Sequence, residues 1–261
     1  MKKLLAAALL LLSMAESAPT LQAATIIYNP TIAQLPPVKN IVLVHGAFVD
    51  GSGWRPVFDI LTKKGYKVSV VQQPLTSYEA DLQAVKRVID AQDGPCVLVA
   101  HSYGGAIITE AGNDPKVTAL VYIAAHAPDA GENEADNGKK FPAAYKSLQK
   151  GADGKDNIAP ESFAADFAAD LPAVDANFTA HAQMPITDSV FHHVIVNPAW
   201  KTKPSWYMVA GADRIINPDL ERMYAKRANS VTVEVAGASH SIYQSRPKEV
   251  SALIEKASAG K

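Results

Sequence analysis

The sequence predicts an α/β fold: a mainly parallel sheet of about six strands, helices on both faces, and a helical insertion between two core strands. Three observations predict it. Short apolar runs alternate with helical patterns from residue 40 onward, and those runs are β-branched and nearly continuous rather than alternating. One segment of about seventy residues, 131–203, breaks the rhythm. Continuous apolar runs suit strands covered on both faces, and strands alternating with helices call for parallel pairing through crossovers.

Strands are expected at residues 41–44, 68–71, 96–99, 117–123, 206–209 and 231–235. Between the second and third, Thr76-Ser77-Tyr78-Glu79 has the spacing of a capping box, and Leu82, Val85, Val88 and Ile89 then share one helical face. Leu220, Met223 and Tyr224 do the same in a later helix, and Pro247 opens the last one, with Val250, Leu253 and Ile254 facing inward. Residues 38–130 and 204–261 form the predicted core. Inside 131–203 the composition turns to Ala, Asp, Lys and Gly with no convincing strand. Gly151-Ala152-Asp153-Gly154 has turn chemistry, and Phe163, Phe167 and Leu171, at i, i+4 and i+8, predict a short amphipathic helix. An excursion of this length is expected to be a lid over a site.

The 261 residues are 48% hydrophobic and 20% charged, enough for one large domain with its own core. A formal net charge of -1 without blocks of like charge provides no concentrated basic face, so nucleic acid is not an expected partner. Cys96 is the single cysteine, which rules out an intramolecular disulfide. It sits in an apolar run and reads as a small core residue. The N-terminus has a separate character. Lys2 and Lys3 precede an apolar run over residues 4–12, followed by small residues up to Ala23 and Ala24. That order describes a secretory signal peptide over 1–23, with 24–37 as an extension before the core. The run falls short of the ~20 residues needed to span a bilayer. The expected product is therefore exported, periplasmic or secreted, with no stable membrane association after cleavage.

Ala100-His101-Ser102-Tyr103-Gly104-Gly105 joins an expected strand to an expected helix. A serine on such a turn projects its hydroxyl above the sheet near the positive end of the following helix. The pattern is G-x-S-x-G with Ala100 in the first glycine position. Val44-His45-Gly46-Ala47-Phe48 follows the first strand, and the N–H groups of Ala47 and Tyr103 are the candidate oxyanion hole, with the His45 ring bracing the loop. A serine needs a base oriented by an acid. Of seven histidines, His240 sits best, in the last loop before the final helix. Asp213 follows the preceding strand through Ala210-Gly211-Ala212, and Asp129 is the rival acid, read as a solvated loop carboxylate. The adjacent pair His192-His193 lacks the spacing of metal ligands, so no metal or cofactor is expected.

With these motifs, over residues 38 to 258, the chain resembles the α/β-hydrolase superfamily. It is similar in particular to the small esterases grouped with plant methylesterases and hydroxynitrile lyases, and to related bacterial hydrolases. The resemblance rests on Val44-His45-Gly46-Ala47, the serine elbow, residues 200–206 leading to Asp213, and Ala238-Ser239-His240. It implies an α/β-hydrolase fold, a Ser102, Asp213, His240 triad and hydrolysis of small carboxylic esters. The lyase branch has a threonine after the oxyanion-loop histidine and a lysine after the triad histidine; here Gly46 and Ser241 stand there. Dehalogenases of this fold use an aspartate nucleophile, where this chain has Ser102. Lactone hydrolysis, perhydrolysis on the same triad, and an idle relative that binds a small molecule stay open. Phe48, Tyr103, Phe163 and Phe167 are the candidate substrate-pocket residues. N-terminal sequencing of the exported protein is expected to find its start near Ala24, and an intact Met1 would refute the signal peptide.

Overall fold

A computed structural model describes residues 37–261; the expected signal peptide and most of the extension lie outside the described residues. Six strands form one parallel sheet: β1 (Asn40–Val44), β2 (Lys67–Val70), β3 (Cys96–Ser102), β4 (Val117–Ala125), β8 (Ser205–Ala210) and β9 (Val231–Val235). Their order is β2-β1-β3-β4-β8-β9. Each expected strand is present, and β3 and β4 run two to three residues further than their apolar runs, carrying the chain up to the candidate serine.

The continuous hydrophobicity follows from burial on both faces. In β3, Cys96, Leu98 and Ala100 join the core on one side, while Val97 and Val99 join the core on the other. In β1, Val42 and Val44 divide from Ile41 and Leu43 in the same way. Fully burying one such side chain is worth about 1.5–3 kcal/mol. Helices α2 (Tyr78–Asp90), α3 (Gly104–Ala111) and α7 (Pro218–Arg227) cover the first face. Helices α1 (Arg55–Lys63), α8 (Ile242–Ser245) and α9 (Pro247–Ser258) cover the second.

The chain leaves β1 for β2 on one side and returns to β3 on the other, so the loops after β1 and β3 diverge. Such a switch point opens a crevice at the carboxyl ends of the strands, and both candidate catalytic loops border it. Beside it the pairing of β3 with β4 slips: His101 faces Ile123 while Ser102 faces Ala125. Ala124, at φ 43°, takes up the extra residue as a bulge.

Three local expectations change. The cap of α2 is Ser77, whose Oγ accepts from the Ala80 N–H at 3.1 Å, one residue later than the Thr76 box. The insertion between β4 and β8 carries helices α4 (Glu134–Lys140), α5 (Pro160–Asp166) and α6 (Ala173–His181), and also a small antiparallel sheet. That sheet is β5 (Leu148–Lys150), β6 (Lys155–Ile158) and β7 (Ile186–Thr187). The predicted turn at residues 151–154 is the β5–β6 connection, with Gly154 at φ 77°. Helix α5 stops before Phe167, so the i, i+4, i+8 pattern at 163–171 spans a short helix and the coil after it.

A Cβ on Gly105 would stand 2.2 Å from the His126 carbonyl oxygen, because α3 presses its first turn onto the end of β4. Gly138 in α4 has open space around its Cα. Gly105→Ala is expected to lower stability by about 1–3 kcal/mol in urea unfolding, whereas Gly138→Ala is neutral or stabilising by up to about 1 kcal/mol.

Candidate active site

Ser102 ends β3 with its backbone in the left-handed region, φ 55°. For a residue with a side chain this costs about 1–3 kcal/mol, and here it turns Oγ away from the sheet. The turn requires missing side chains around it. A Cβ on Gly46 would lie 2.6 Å from Ser102 Cβ, and one on Gly104 would lie 2.5 Å from the His45 carbonyl oxygen. Ala100, the departure from the usual first glycine, is a strand residue whose methyl is buried in the core, so alanine fits there.

His240 Nε2 stands 2.9 Å from Ser102 Oγ, and His240 Nδ1 stands 2.5 Å from Asp213 Oδ2. Nδ1–H therefore donates to Asp213, leaving Nε2 as the acceptor that faces the hydroxyl. The other carboxylate oxygen, Oδ1, accepts from the N–H groups of Ile215 and Ile216 at 2.7 and 2.9 Å. All three side chains are buried. Asp129, the rival acid, is ion-paired with Lys201 at 2.5 Å. The N–H groups of Ala47 and Tyr103 make no hydrogen bond within the described residues.

The loop after β1 is held by His45. Its Nδ1–H donates to the Gly46 carbonyl at 2.9 Å and its Nε2 accepts from the Gln73 N–H at 2.9 Å. Both ring nitrogens are occupied in the neutral form, and burial holds this imidazole below its ordinary pKa. The bracing role expected for His45 is what its contacts give. Phe48, three residues on, takes φ 65° and turns toward the cleft.

A sequence profile described as "Alpha/beta hydrolase family" matches residues 41–253. The chain belongs to the alpha/beta hydrolase family. Over 110 residues it is 34% identical to the "Carbendazim hydrolyzing esterase" of Nocardioides sp. (strain SG-4G), a match covering 37% of this chain and 46% of that esterase. The chain thus spans under half the length of that relative. It is 24% identical to "Esterase PIR7B" of Oryza sativa subsp. japonica over 255 residues, covering 84% of this chain and 95% of the relative. Among solved structures, the methylesterase MES16 from Arabidopsis superposes with a TM-score of 0.71 at 19% identity, covering 86% of this chain and all of that one. The resemblance read from the motifs holds at the level of family and fold.

Ser102 opens into a cavity of about 400 Å³ between the core and the insertion. Ala47, Phe48, Tyr103, Ile215 and Leu220 line it from the core, and Glu134, Phe141, Tyr145 and Phe191 from the insertion. A second cleft, about 550 Å³, runs past Asp50, Asp170 and Tyr243 and contains none of the three candidate catalytic residues. Of the four candidate pocket residues, Phe48 and Tyr103 line this cavity. Phe163 and Phe167 do not. Both are fully buried outside the lining, stacked at 4.7 Å, and Phe167 meets the His240 ring edge-to-face at 4.6 Å. The insertion also grips the backbone of this loop. The Ser241 N–H donates to the Phe167 carbonyl at 3.0 Å, and the Ser239 hydroxyl donates to Asp170.

Several further buried polar residues surround the site. His101 donates from Nε2 to the His240 carbonyl at 2.9 Å, and burial keeps its ring neutral, well below the ordinary pKa. Glu221 accepts from the Ala210 N–H at 3.0 Å. Burial, and then the charge of Asp213, raise its pKa well above the carboxylate range. Asp81 accepts from the Tyr103 hydroxyl at 2.8 Å and from the Leu75 N–H at 2.8 Å. A capping-type S/T-x-x-E signal marks neither acid, since their burial arises from packing distant in sequence.

Burial pushes the Asp81 carboxyl up to about 6, against the two hydrogen bonds that lower it. The unfolded chain releases this proton near pH 3.8. Between the two values the native state binds more protons, so the group's contribution to stability falls as pH rises through that window. Asp81→Asn lacks this loss. Urea unfolding at pH 4 and pH 7 is expected to show the variant gaining on the wild type by on the order of 2 kcal/mol.

Proposed function

We propose that this protein is a carboxylic-ester hydrolase that works through an acyl-enzyme on Ser102. The observation carrying the reading is the hydrogen-bonded series Asp213, His240, Ser102 opening into an apolar-walled cavity. His240 Nε2 takes the Ser102 proton as Oγ attacks the ester carbonyl, and Asp213 holds the ring in the tautomer that permits it. The N–H groups of Ala47 and Tyr103 receive the developing oxyanion. Donors of this kind contribute about 10²–10³ in turnover each. His240 then returns the proton to the leaving alcohol, and water repeats the sequence to release the acid.

Substrates on this reading are small. Phe48, Phe141 and Phe191 border a cavity of about 400 Å³, which favours short acyl chains or small aromatic esters over long lipids. The esterase names of two relatives support ester bonds as the target. Export by the segment beginning with Lys2 and Lys3 belongs to the same reading.

Intact-mass analysis after fluorophosphonate treatment tests it. One covalent adduct is expected on the wild type and none on Ser102→Ala, with Asp213→Asn labelled at least 10²-fold more slowly. A folded wild type that takes no adduct overturns the activated serine and leaves a small-molecule-binding relative.

A further inference from the structure

Glu134 lines the same cavity as Ser102, yet it is almost wholly buried, 6% exposed, and its Oε1 has no partner among the described residues. A buried polar atom without a partner is rare in a native protein, because it loses water and gains nothing. The surrounding hydrogen bonds determine what this atom offers.

The series starts at the ion pair of Glu132 with Arg227, 2.8 Å. Asn137 Nδ2 donates one hydrogen to Glu132 Oε2 at 2.9 Å and the other to the Tyr224 hydroxyl oxygen at 3.0 Å. The carboxylate of Glu132 fixes the orientation of that amide. With its oxygen accepting, Tyr224 has its own proton to give, and His126 Nδ1 lies 3.4 Å away to receive it. His126 then carries its proton on Nε2, which faces Glu134 Oε2 at 3.3 Å. Oε2 is the oxygen closest to that N–H, which disfavours an acid proton there and assigns it to Oε1, the oxygen without a partner among the described residues. Burial keeps His126 neutral, with a pKa near 3, and holds the Glu134 carboxyl well above its ordinary range. Both protonation states fit the geometry.

The series also reaches the candidate nucleophile. The backbone N–H of His126 donates to the Ser102 carbonyl at 3.1 Å. The charge that Glu134 would carry acts on Tyr78, Tyr103 and Tyr224, and Tyr103 is on the cavity wall.

We propose that Glu134 is a substrate-binding residue whose Oε1–H donates to a second, neutral hydrogen-bond acceptor on the ester, a carbonyl or ether oxygen beside the one being cleaved. This rests on the ester-hydrolase reading above. A plain hydrocarbon acyl chain leaves the donor unsatisfied, whereas a keto or alkoxy chain of the same size pairs it. The site is then selective for oxygenated over hydrocarbon esters.

Two shape-matched pairs test it: p-nitrophenyl methoxyacetate against butanoate, and p-nitrophenyl 4-oxopentanoate against pentanoate. The ratio of kcat/KM within a pair is compared between wild type, Glu134→Leu and Glu134→Gln, which cancels the intrinsic reactivity of each ester. For at least one pair, the ratio is expected to fall about five- to ten-fold in Glu134→Leu, the worth of one neutral hydrogen bond. Glu134→Gln, with an amide N–H to offer and nearly the same shape, is expected to keep the ratio within about three-fold. Ratios unchanged in Glu134→Leu for both pairs overturn the assignment. Turnover of the hydrocarbon esters by the wild type tests hydrolysis separately. Without turnover, thermal shifts with cyclohexanone against methylenecyclohexane decide on binding alone. A shift favouring the ketone in wild type and Glu134→Gln but lost in Glu134→Leu supports the donor, and equal shifts reject it.

Discussion

Ser102 holds a left-handed backbone only because three glycines in the neighbouring segments keep side chains out of the way. Gly46 lets the loop after β1 pass against its Cβ, Gly104 lets α3 start beneath the His45 carbonyl, and Gly105 packs onto the end of β4. The bulge at Ala124 absorbs the mismatch in pairing that this crowding creates. Local strain of this kind persists only where surrounding structure over-determines it. The parallel sheet supplies that structure, with both faces of β3 buried and no freedom to slide.

Around this strained residue the protein places a shell of buried neutral acids and imidazoles. His45, His101 and His126 are uncharged through burial, and Glu134 and Glu221 keep their protons for the same reason. Neutral groups hydrogen-bond directionally without the desolvation penalty of a buried charge. They orient what they touch: His101 the His240 backbone, Glu221 the Ala210 N–H at the end of β8, His45 the loop that bears Ala47 and Phe48.

Much of the fold was legible because burial on both faces writes itself as unbroken apolar runs, as in residues 96–99 and 117–123. Ser102, Asp213 and His240 were legible because each follows a strand at the same sheet edge. The small sheet of the insertion was not, since Leu148-Gln149-Lys150 and Lys155-Asp156-Asn157-Ile158 are short, polar strands with no periodic signal. The phenylalanines at 163 and 167 were visible as an apolar pair, but only the tertiary contact with His240 distinguishes a brace from a pocket wall. Asp81, Glu134 and Glu221 carry no local sequence signal of burial, yet all three are buried in the fold.

The insertion does more than roof a cavity. Through Phe167 and Asp170 it holds both sides of the His240 loop, so the segment that shapes the cavity also helps position His240. If the insertion is exchanged for another, residues 163–170 therefore belong with the core. The exchangeable module divides in two, from Glu134 to Ile158 and from Ala173 to Thr202, and a graft that respects this division changes the walls while keeping the histidine in place.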